Sequence, residues 1–281
     1  MIGFVVVVLA IFFLAQVVSV MIFGFYAGIS YELSGMELRQ EQYLDLLADN
    51  MIYISIMSGV LSLAFFWFFS FIKNAFQNRI QSLWNYCRLQ RISGGVVIFS
   101  LLAGMGFYFL LSGIMFFTQL PQYFPEHQEL LEPMFHQHVL VSVLGLGVMA
   151  SLVEEIGFRG LIFNRMRQEL PVAVALIIQA VIFGAIHMNV LQSSYAFILG
   201  ILLGLIFIWT SSLWAPILLH LSFNSSSALM VQVFKLEENA ANMGGMIVVG
   251  VILLFISICY LYVKRPDGCG NANGMVASLH Q

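Results

Sequence analysis

The chain has 281 residues, of which 60% are hydrophobic and 9% are charged, with 11 basic and 14 acidic side chains. A soluble domain carries about 25% charged residues, so this composition excludes a soluble globular protein and a disordered chain. Without an excess of basic residues, it also excludes a nucleic-acid-binding protein. A membrane protein remains, and the scarcity of alternating polar and apolar residues favours helices over a barrel.

Apolar stretches of suitable length recur along the chain, and about 20 residues are needed to cross a bilayer as a helix. We therefore predict an all-α polytopic bundle of about eight transmembrane helices. In chain order they cover 2–29, 50–72, 94–118, 137–164, 171–188, 194–210, 213–233 and 244–263. The first is too long for the apolar part of a signal peptide and follows no basic residue, so we expect it to remain as an anchor.

The chain divides into four parts by this pattern. We predict three N-terminal helices without a recognisable motif in 1–136, a motif-bearing core in 137–233, a last helix in 244–263, and a loose tail in 264–281. The three cysteines have no metal-type spacing and are interpreted as incidental thiols: Cys87, Cys259 and Cys269.

Charge alternates between the connecting segments. Nine of the 11 basic residues fall in or beside 73–92, 159–170 and the tail, whereas the opposite loops hold ten acidic residues with only Arg39 and Lys235. The positive-inside rule places the basic side and both termini in the cytoplasm, as eight crossings also require. We expect the cytoplasmic membrane of a prokaryote. In the acidic loops we expect solvated histidines: His127, His136 and His138.

Polar residues inside the predicted spans lie between residues 150 and 225. An ionisable side chain in a membrane helix costs at least about 2.5–3.5 kcal/mol, so each needs an explanation. Glu155 and Arg159 are four residues apart on one helix face and can form an ion pair. Glu154 points about 100° away, has no local partner, and can serve as a general base.

His220 and Asn224 also share a helix face, and together they can donate hydrogen bonds to a developing oxyanion. His187 can position a water molecule or transfer a proton. The set suits hydrolysis of an amide by an activated water. The alternative is structural, because single buried His, Asn and Ser side chains often join helices.

These residues resemble the CPBP family of CAAX proteases and bacteriocin-processing enzymes, also called type II CAAX prenyl endopeptidases or Abi proteins. The family pattern is Glu-Glu-x-x-x-Arg, Phe-x-x-x-His and His-x-x-x-Asn/Asp on successive membrane helices. This sequence meets it at Glu154, Glu155, Arg159, Phe183, His187, His220 and Asn224. The resemblance covers roughly 137–233 and makes this segment the expected catalytic core.

The resemblance implies an intramembrane endopeptidase that acts on a membrane-associated peptide or protein. Glu154 would activate the water together with His187, His220 and Asn224 would form the oxyanion site, and Glu155 would pair with Arg159. A metal-free mechanism is favoured, because His-Glu-x-x-His is lacking. The alternative is zinc held by Glu154, His187 and His220.

Two other functions stay open from the sequence. One is a non-catalytic membrane protein of the same fold, such as a bacteriocin-immunity factor or a regulator that binds a partner. The other is a transporter that relays protons. The predicted helix positions also raise a difficulty: His187 lies about 24 Å along its helix and His220 only about 10 Å along its own. The two would meet only if the fifth helix is tilted or starts inside the membrane.

Overall fold

The structure, a computed structural model, describes residues 1–35, 39–77, 82–131, 133 and 137–265. It is 85% helical, and the described residues form no strand. The helices are α1 (Ile2–Leu33), α2 (Gln40–Asp49), α3 (Met51–Gln77), α4 (Leu83–Tyr86), α5 (Gly94–Thr118), α6 (Pro125–Leu131), α7 (Val139–Met166), α8 (Val172–Ala185), α9 (Val190–Thr210), α10 (Trp214–Phe234) and α11 (Ala240–Val263).

Seven of these helices are long and apolar enough to cross a membrane: α1, α3, α5, α7, α9, α10 and α11. Their outer faces carry exposed apolar side chains, such as Phe25 at 73% and Val263 at 76% exposure. Such surfaces are stable against lipid but not against water. The predicted all-α polytopic bundle is confirmed, and the chain is an integral membrane protein.

The fifth predicted span, 171–188, is wrong in length. Helix α8 has 14 residues, about 21 Å, which is shorter than the hydrocarbon core of a bilayer. It ends at Ala185 because a tight turn follows, in which Met188 adopts a left-handed φ of 50°. Helix α9 starts four residues earlier than predicted because Asn189 caps it, accepting a hydrogen bond from the Gln192 amide at 3.0 Å.

The helices run between two ends of the bundle. At one end, which we call the basic end, the Met1 amino group lies 3.5 Å from Glu169 and the Leu213 amide donates to the Arg88 carbonyl. There too the Tyr262 ring, at the end of α11, lies 5.3 Å from Trp209. The amino-terminal end of α1 and the carboxyl-terminal end of α11 therefore lie at the same end of the bundle, because the short helix α8 also leads from the basic end to the acidic end.

At the other end, which we call the acidic end, lie α2, α6 and the turn between α8 and α9. His127 on α6 contacts the Tyr195 ring at 5.9 Å and hydrogen-bonds the Asn189 side chain. Its exposure is only 5%, so the prediction that it is solvated is wrong. His138 is exposed, whereas His136 lies outside the described residues.

Close packing joins the motif-bearing helices to the rest. Helix α5 packs against both α10 and α11, α8 packs against α9, and α7 lies against α3 and α10. Gly104 permits the contact of α5 with α10, because a methyl group there would collide with the Leu219 carbonyl. The Cys87 and Cys259 thiols are free, whereas Cys269 and most of the predicted loose tail, 266–281, lie outside the described residues. The division at 136 and 233 stays a prediction.

Candidate active site

Helix α7 carries the two carboxylates in an unusual backbone setting. The α-helical segment Ser151–Glu155 is flanked by two π-helical stretches, Val143–Ala150 and Ile156–Phe163. Stretches with i→i+5 hydrogen bonds are rare and occur often at functional sites. The setting therefore marks the Glu154–Glu155 pair independently of the motif.

Glu155 lies in a fully enclosed cluster with two nitrogen partners. Arg159 Nη1 donates to Glu155 Oε1 at 2.7 Å, and both side chains are completely buried. His220 Nδ1 lies 2.9 Å from the same oxygen. Because a carboxylate only accepts, this distance assigns the Nδ1 proton to His220. The carboxylate thus joins α7 to α10.

Arg159 is also held from a third helix, by the carbonyl of Gly200 on α9. Arg159 Nη2 donates to this oxygen at 3.2 Å, and Gln179 Nε2 on α8 donates to it at 3.0 Å. A side chain on Gly200 would come within 3.2 Å of Ala180 and Phe183, so glycine allows this approach. The sequence reasoning missed Gln179 and Gly200, although a fully buried glutamine in an apolar helix signals a hydrogen-bond partner.

The Phe183 ring contacts the Arg159 guanidinium and the rings of both site histidines. The Arg159 guanidinium lies 4.3 Å from its centroid, a cation–π contact. The His187 and His220 rings lie 5.2 and 5.9 Å away, each edge-to-face. The two histidines therefore meet beside one ring, and the expected difference in depth does not separate them. His187 follows the end of the short helix α8, so it lies in a turn rather than within a full span.

Glu154 has different surroundings from its neighbour. Its Oε2 lies 3.8 Å from His220 Nε2, beyond hydrogen-bonding distance, and its side chain is 15% exposed. Within the described part of the chain this oxygen has no hydrogen-bond partner. It thus keeps a free lone pair beside a cavity.

The His187 ring has one nitrogen engaged by the backbone. Its Nδ1 lies 2.8 Å from the Phe183 carbonyl, which can only accept, so the proton is on Nδ1. In the neutral ring Nε2 is then an acceptor. This nitrogen can accept a hydrogen bond from a water molecule.

Asn224 is directed at α7 rather than at His220. Its Nδ2 donates to the Leu146 carbonyl at 2.9 Å and lies 3.3 Å from Ser151 Oγ. The first contact is strong and fixes the orientation of the amide. The second contact is long and therefore weak, so a better acceptor can replace Ser151 Oγ as the partner of this N–H.

A cavity of about 520 Å³ adjoins these groups. This size is typical of ligand-binding sites. Five of the predicted site residues line it: Glu154, Phe183, His187, His220 and Asn224. Glu155 and Arg159 do not line the cavity, and His220 lies between it and Glu155. The sequence alone did not indicate Tyr108, Tyr195 or Ser227, which also line the cavity.

The alternative zinc ligands do not form a coordination site. Among the described residues, no three His, Cys, Asp or Glu side chains are placed to hold one metal ion. His220 Nδ1 is bound by Glu155, and Arg159 places a positive charge beside that carboxylate. The metal-free mechanism stays a prediction.

Fold and site together define a polytopic helical membrane protein that holds carboxylates and imidazoles beside an internal cavity. Residues 136–226 match the family model of type II CAAX prenyl endopeptidase Rce1-like proteins. The match contains every motif position and confirms the resemblance to the CPBP family. No curated protein and no solved structure matches the chain at a significant level.

Proposed function

We propose that the protein is an intramembrane endopeptidase that hydrolyses a peptide bond through a water activated by Glu154. The observation that carries this proposal is the contrast at one helix turn: Glu155 is held through Oε1 by Arg159 and His220, whereas Glu154 lines the cavity and its Oε2 has no hydrogen-bond partner among the described residues. The Rce1-like family supports the peptidase class. A role in binding alone gives no reason for a carboxylate oxygen that lacks a hydrogen-bond partner within the described structure of an apolar helix.

In the first step, Glu154 removes a proton from water, and the water oxygen bonds to the scissile carbonyl carbon. His187 Nε2 accepts a hydrogen bond from the same water and orients it. The π electrons of the carbonyl move to its oxygen. In the second step, Glu154 returns its proton to the amide nitrogen, the carbon–nitrogen bond breaks, and an acid and an amine leave.

The oxyanion is stabilised by His220 and Asn224. Glu155 holds the His220 Nδ1–H, and Nε2 lies on the side of Glu154, from which an Nε2–H would donate to the oxyanion. Asn224 contributes the N–H that now faces Ser151.

Glu155 and Arg159 act as positioning residues in this scheme. They do not line the cavity and touch no reacting atom. Their effect is to fix the ring of His220 and its tautomer, as a carboxylate behind a catalytic imidazole does.

The proposal is tested by comparing membranes from cells that express the wild-type protein with those that express Glu154→Ala. Peptide termini are labelled and quantified by mass spectrometry. We expect new termini, near membrane-associated segments, in the wild type only. Identical sets of termini would contradict the protease and favour the non-catalytic alternatives, an immunity factor or a partner-binding regulator.

We also propose that no metal takes part. The purified protein is expected to contain less than stoichiometric zinc and to keep its activity after chelation, because among the described residues no three His, Cys, Asp or Glu side chains are placed to hold one metal ion. Elemental analysis checks this. About one zinc per chain, lost together with activity in His187→Ala, would restore a zinc mechanism. Residence in a prokaryotic cytoplasmic membrane with both termini in the cytoplasm remains part of the proposal.

A further inference from the structure

The cavity beside Glu154 extends towards only one end of the bundle. From the site it follows the parts of α5, α10 and α11 that lead to the acidic end, and it is lined there by Met115, Val231 and Met243. Residues from the acidic-end loops complete it: Pro121, His127, Leu236 and Glu238. No lining residue comes from the described loops 82–93, 167–171 and 211–213 at the basic end.

The route from the site to the basic end is closed by packing. Between the carboxylates and the basic end, several large side chains of α7, α9 and the loop after α9 are almost completely buried. Their exposures are 2% or less: Phe158, Ile162, Phe163, Phe207 and Leu213. Protein interiors at this density leave no space for a peptide chain.

The two ends differ in charge as well as in access. Arg91, Arg165 and Lys264 lie at the basic end together with Glu169, whereas the acidic end has only Arg39 and Lys235 among its described acidic residues, which are Glu41, Asp45, Asp49, Glu126, Glu129, Glu237 and Glu238. Positive residues are retained on the cytoplasmic side of a membrane protein. By this rule the cavity reaches the side that faces away from the cytoplasm.

The cavity wall near the acidic end carries polar groups that suit a peptide. His127 is 95% buried and lines the cavity, and its Nδ1 has no hydrogen-bond partner within the described part of the chain. A buried ring nitrogen of this kind can form a hydrogen bond with a polar group that occupies the cavity. The Glu238 carboxylate also lines the cavity and favours a positively charged segment.

We propose that the substrate is a peptide segment with basic residues near the cleavage site, and that it enters from the extracytoplasmic side of the membrane. This rests on the proposed protease function and specifies its substrate class. It separates the protein from an enzyme that processes the tails of cytoplasmic proteins, which would need access through the basic end.

Access is tested by thiol labelling, which does not depend on activity. Ser227→Cys places a thiol on the cavity wall, and Gln168→Cys is a matched control on an exposed loop at the basic end. Cys259 and Cys269 are replaced by Ser. Cys87 is kept, because burial raises the pKa of its thiol to about 12 and keeps it protonated.

A membrane-impermeant maleimide is then added to intact spheroplasts and to permeabilised ones. We expect Ser227→Cys to react at least about tenfold faster than Gln168→Cys in intact spheroplasts, and both to react after permeabilisation. The reverse order, or a Ser227→Cys thiol that stays unreactive in both conditions, would overturn the proposed access.

The charge preference is tested by quantifying how many of the new peptide termini lie next to basic residues. Glu238→Lys should reduce cleavage next to basic residues severalfold, whereas Glu129→Lys, an exposed change on α6 outside the cavity, should leave it unchanged. Equal effects of the two variants would overturn the preference. Termini confined to cytoplasmic segments would overturn the entry side but keep the protease. An absence of wild-type-dependent termini would instead contradict the protease itself.

Discussion

Glu154 and Glu155 are consecutive residues of one helix, but their carboxylates lie in two different regions of the protein. Glu155 belongs to an enclosed region in which Arg159 and His220 both bind one of its oxygens, and no part of its side chain is exposed. Glu154 lines the cavity, in what we call the open region, and its buried Oε2 has no hydrogen-bond partner within the described structure. A rotation of about 100° around the helix is enough to separate them.

The difference teaches how a membrane protein can keep a reactive carboxylate. A buried charge is tolerated when it is paired, and the pair then serves as a rigid support. The unpaired neighbour is tolerated because the cavity and His220 Nε2, at 3.8 Å, lie on its side of the helix. Substitutions in the enclosed region should therefore reduce stability first, and substitutions in the open region should reduce activity first.

The largest expected effect is on activity in the open region. Glu154→Gln keeps the shape of the side chain but removes the base, so the cleavage rate should fall by about 10²–10⁴-fold. Thermal melting in detergent should remain close to that of the wild type, since this oxygen forms no hydrogen bond within the described structure. A variant that cleaves at the wild-type rate would exclude Glu154 as the base.

The second largest expected effect is a loss of stability when the enclosed region is substituted. Arg159→Ala leaves Glu155 without its ion-pair partner, and breaking a buried pair typically costs about 3–5 kcal/mol. Melting in detergent measures the loss, with Glu154→Gln as the control on the same helix. If Arg159→Ala melts like the wild type while Glu155→Ala does not, the ion pair is not what stabilises α7.

Asn224 lies between the two regions, and its substitution sharpens the comparison. Asn224→Ala should lower kcat by about 10²–10³-fold if the amide donates to the oxyanion. Ser151→Ala removes only the long contact at 3.3 Å, so it should leave kcat near the wild-type value. If both variants lose the same stability and Asn224→Ala lowers kcat no more than Ser151→Ala does, Asn224 serves helix packing alone.

The smallest expected effect is a pH dependence at the acidic end. Burial lowers the pKa of His127 below its usual value, although the Asn189 hydrogen bond and the charge of Glu126 act in the opposite direction. The folded form therefore binds fewer protons than the unfolded form, and the docking of α6 on Tyr195 should weaken as the pH falls below about 6.5. Hydrogen-exchange protection of the α6 amides at pH 5.5 and 7.5 measures this.

The control for that measurement is His127→Phe, which keeps a ring against Tyr195 and cannot titrate. Its α6 amides should show the same protection at both pH values after correction for intrinsic exchange. A protection that still falls with pH in this variant would assign the effect to another group, such as Glu126.

The sequence by itself determined what depends on neighbours within one helix. The apolar stretches predicted the membrane helices, and the four-residue spacing predicted that Glu155 and Arg159 would touch, as they do at 2.7 Å. These relations follow from the 3.6-residue repeat and the need to satisfy every backbone group inside lipid. These relations within one helix do not depend on where the other helices lie.

Only the tertiary structure decided the relations between helices. The sequence placed His220 with Asn224 as a donor pair, but in the fold His220 Nδ1 binds Glu155 on α7 and Asn224 binds the Leu146 carbonyl. The reach of the cavity to the acidic end and the burial of His127 were equally invisible in the sequence. The reason is that packing joins residues far apart in sequence, such as Asn224 and Leu146 at 78 positions, and no local repeat encodes which helix faces meet.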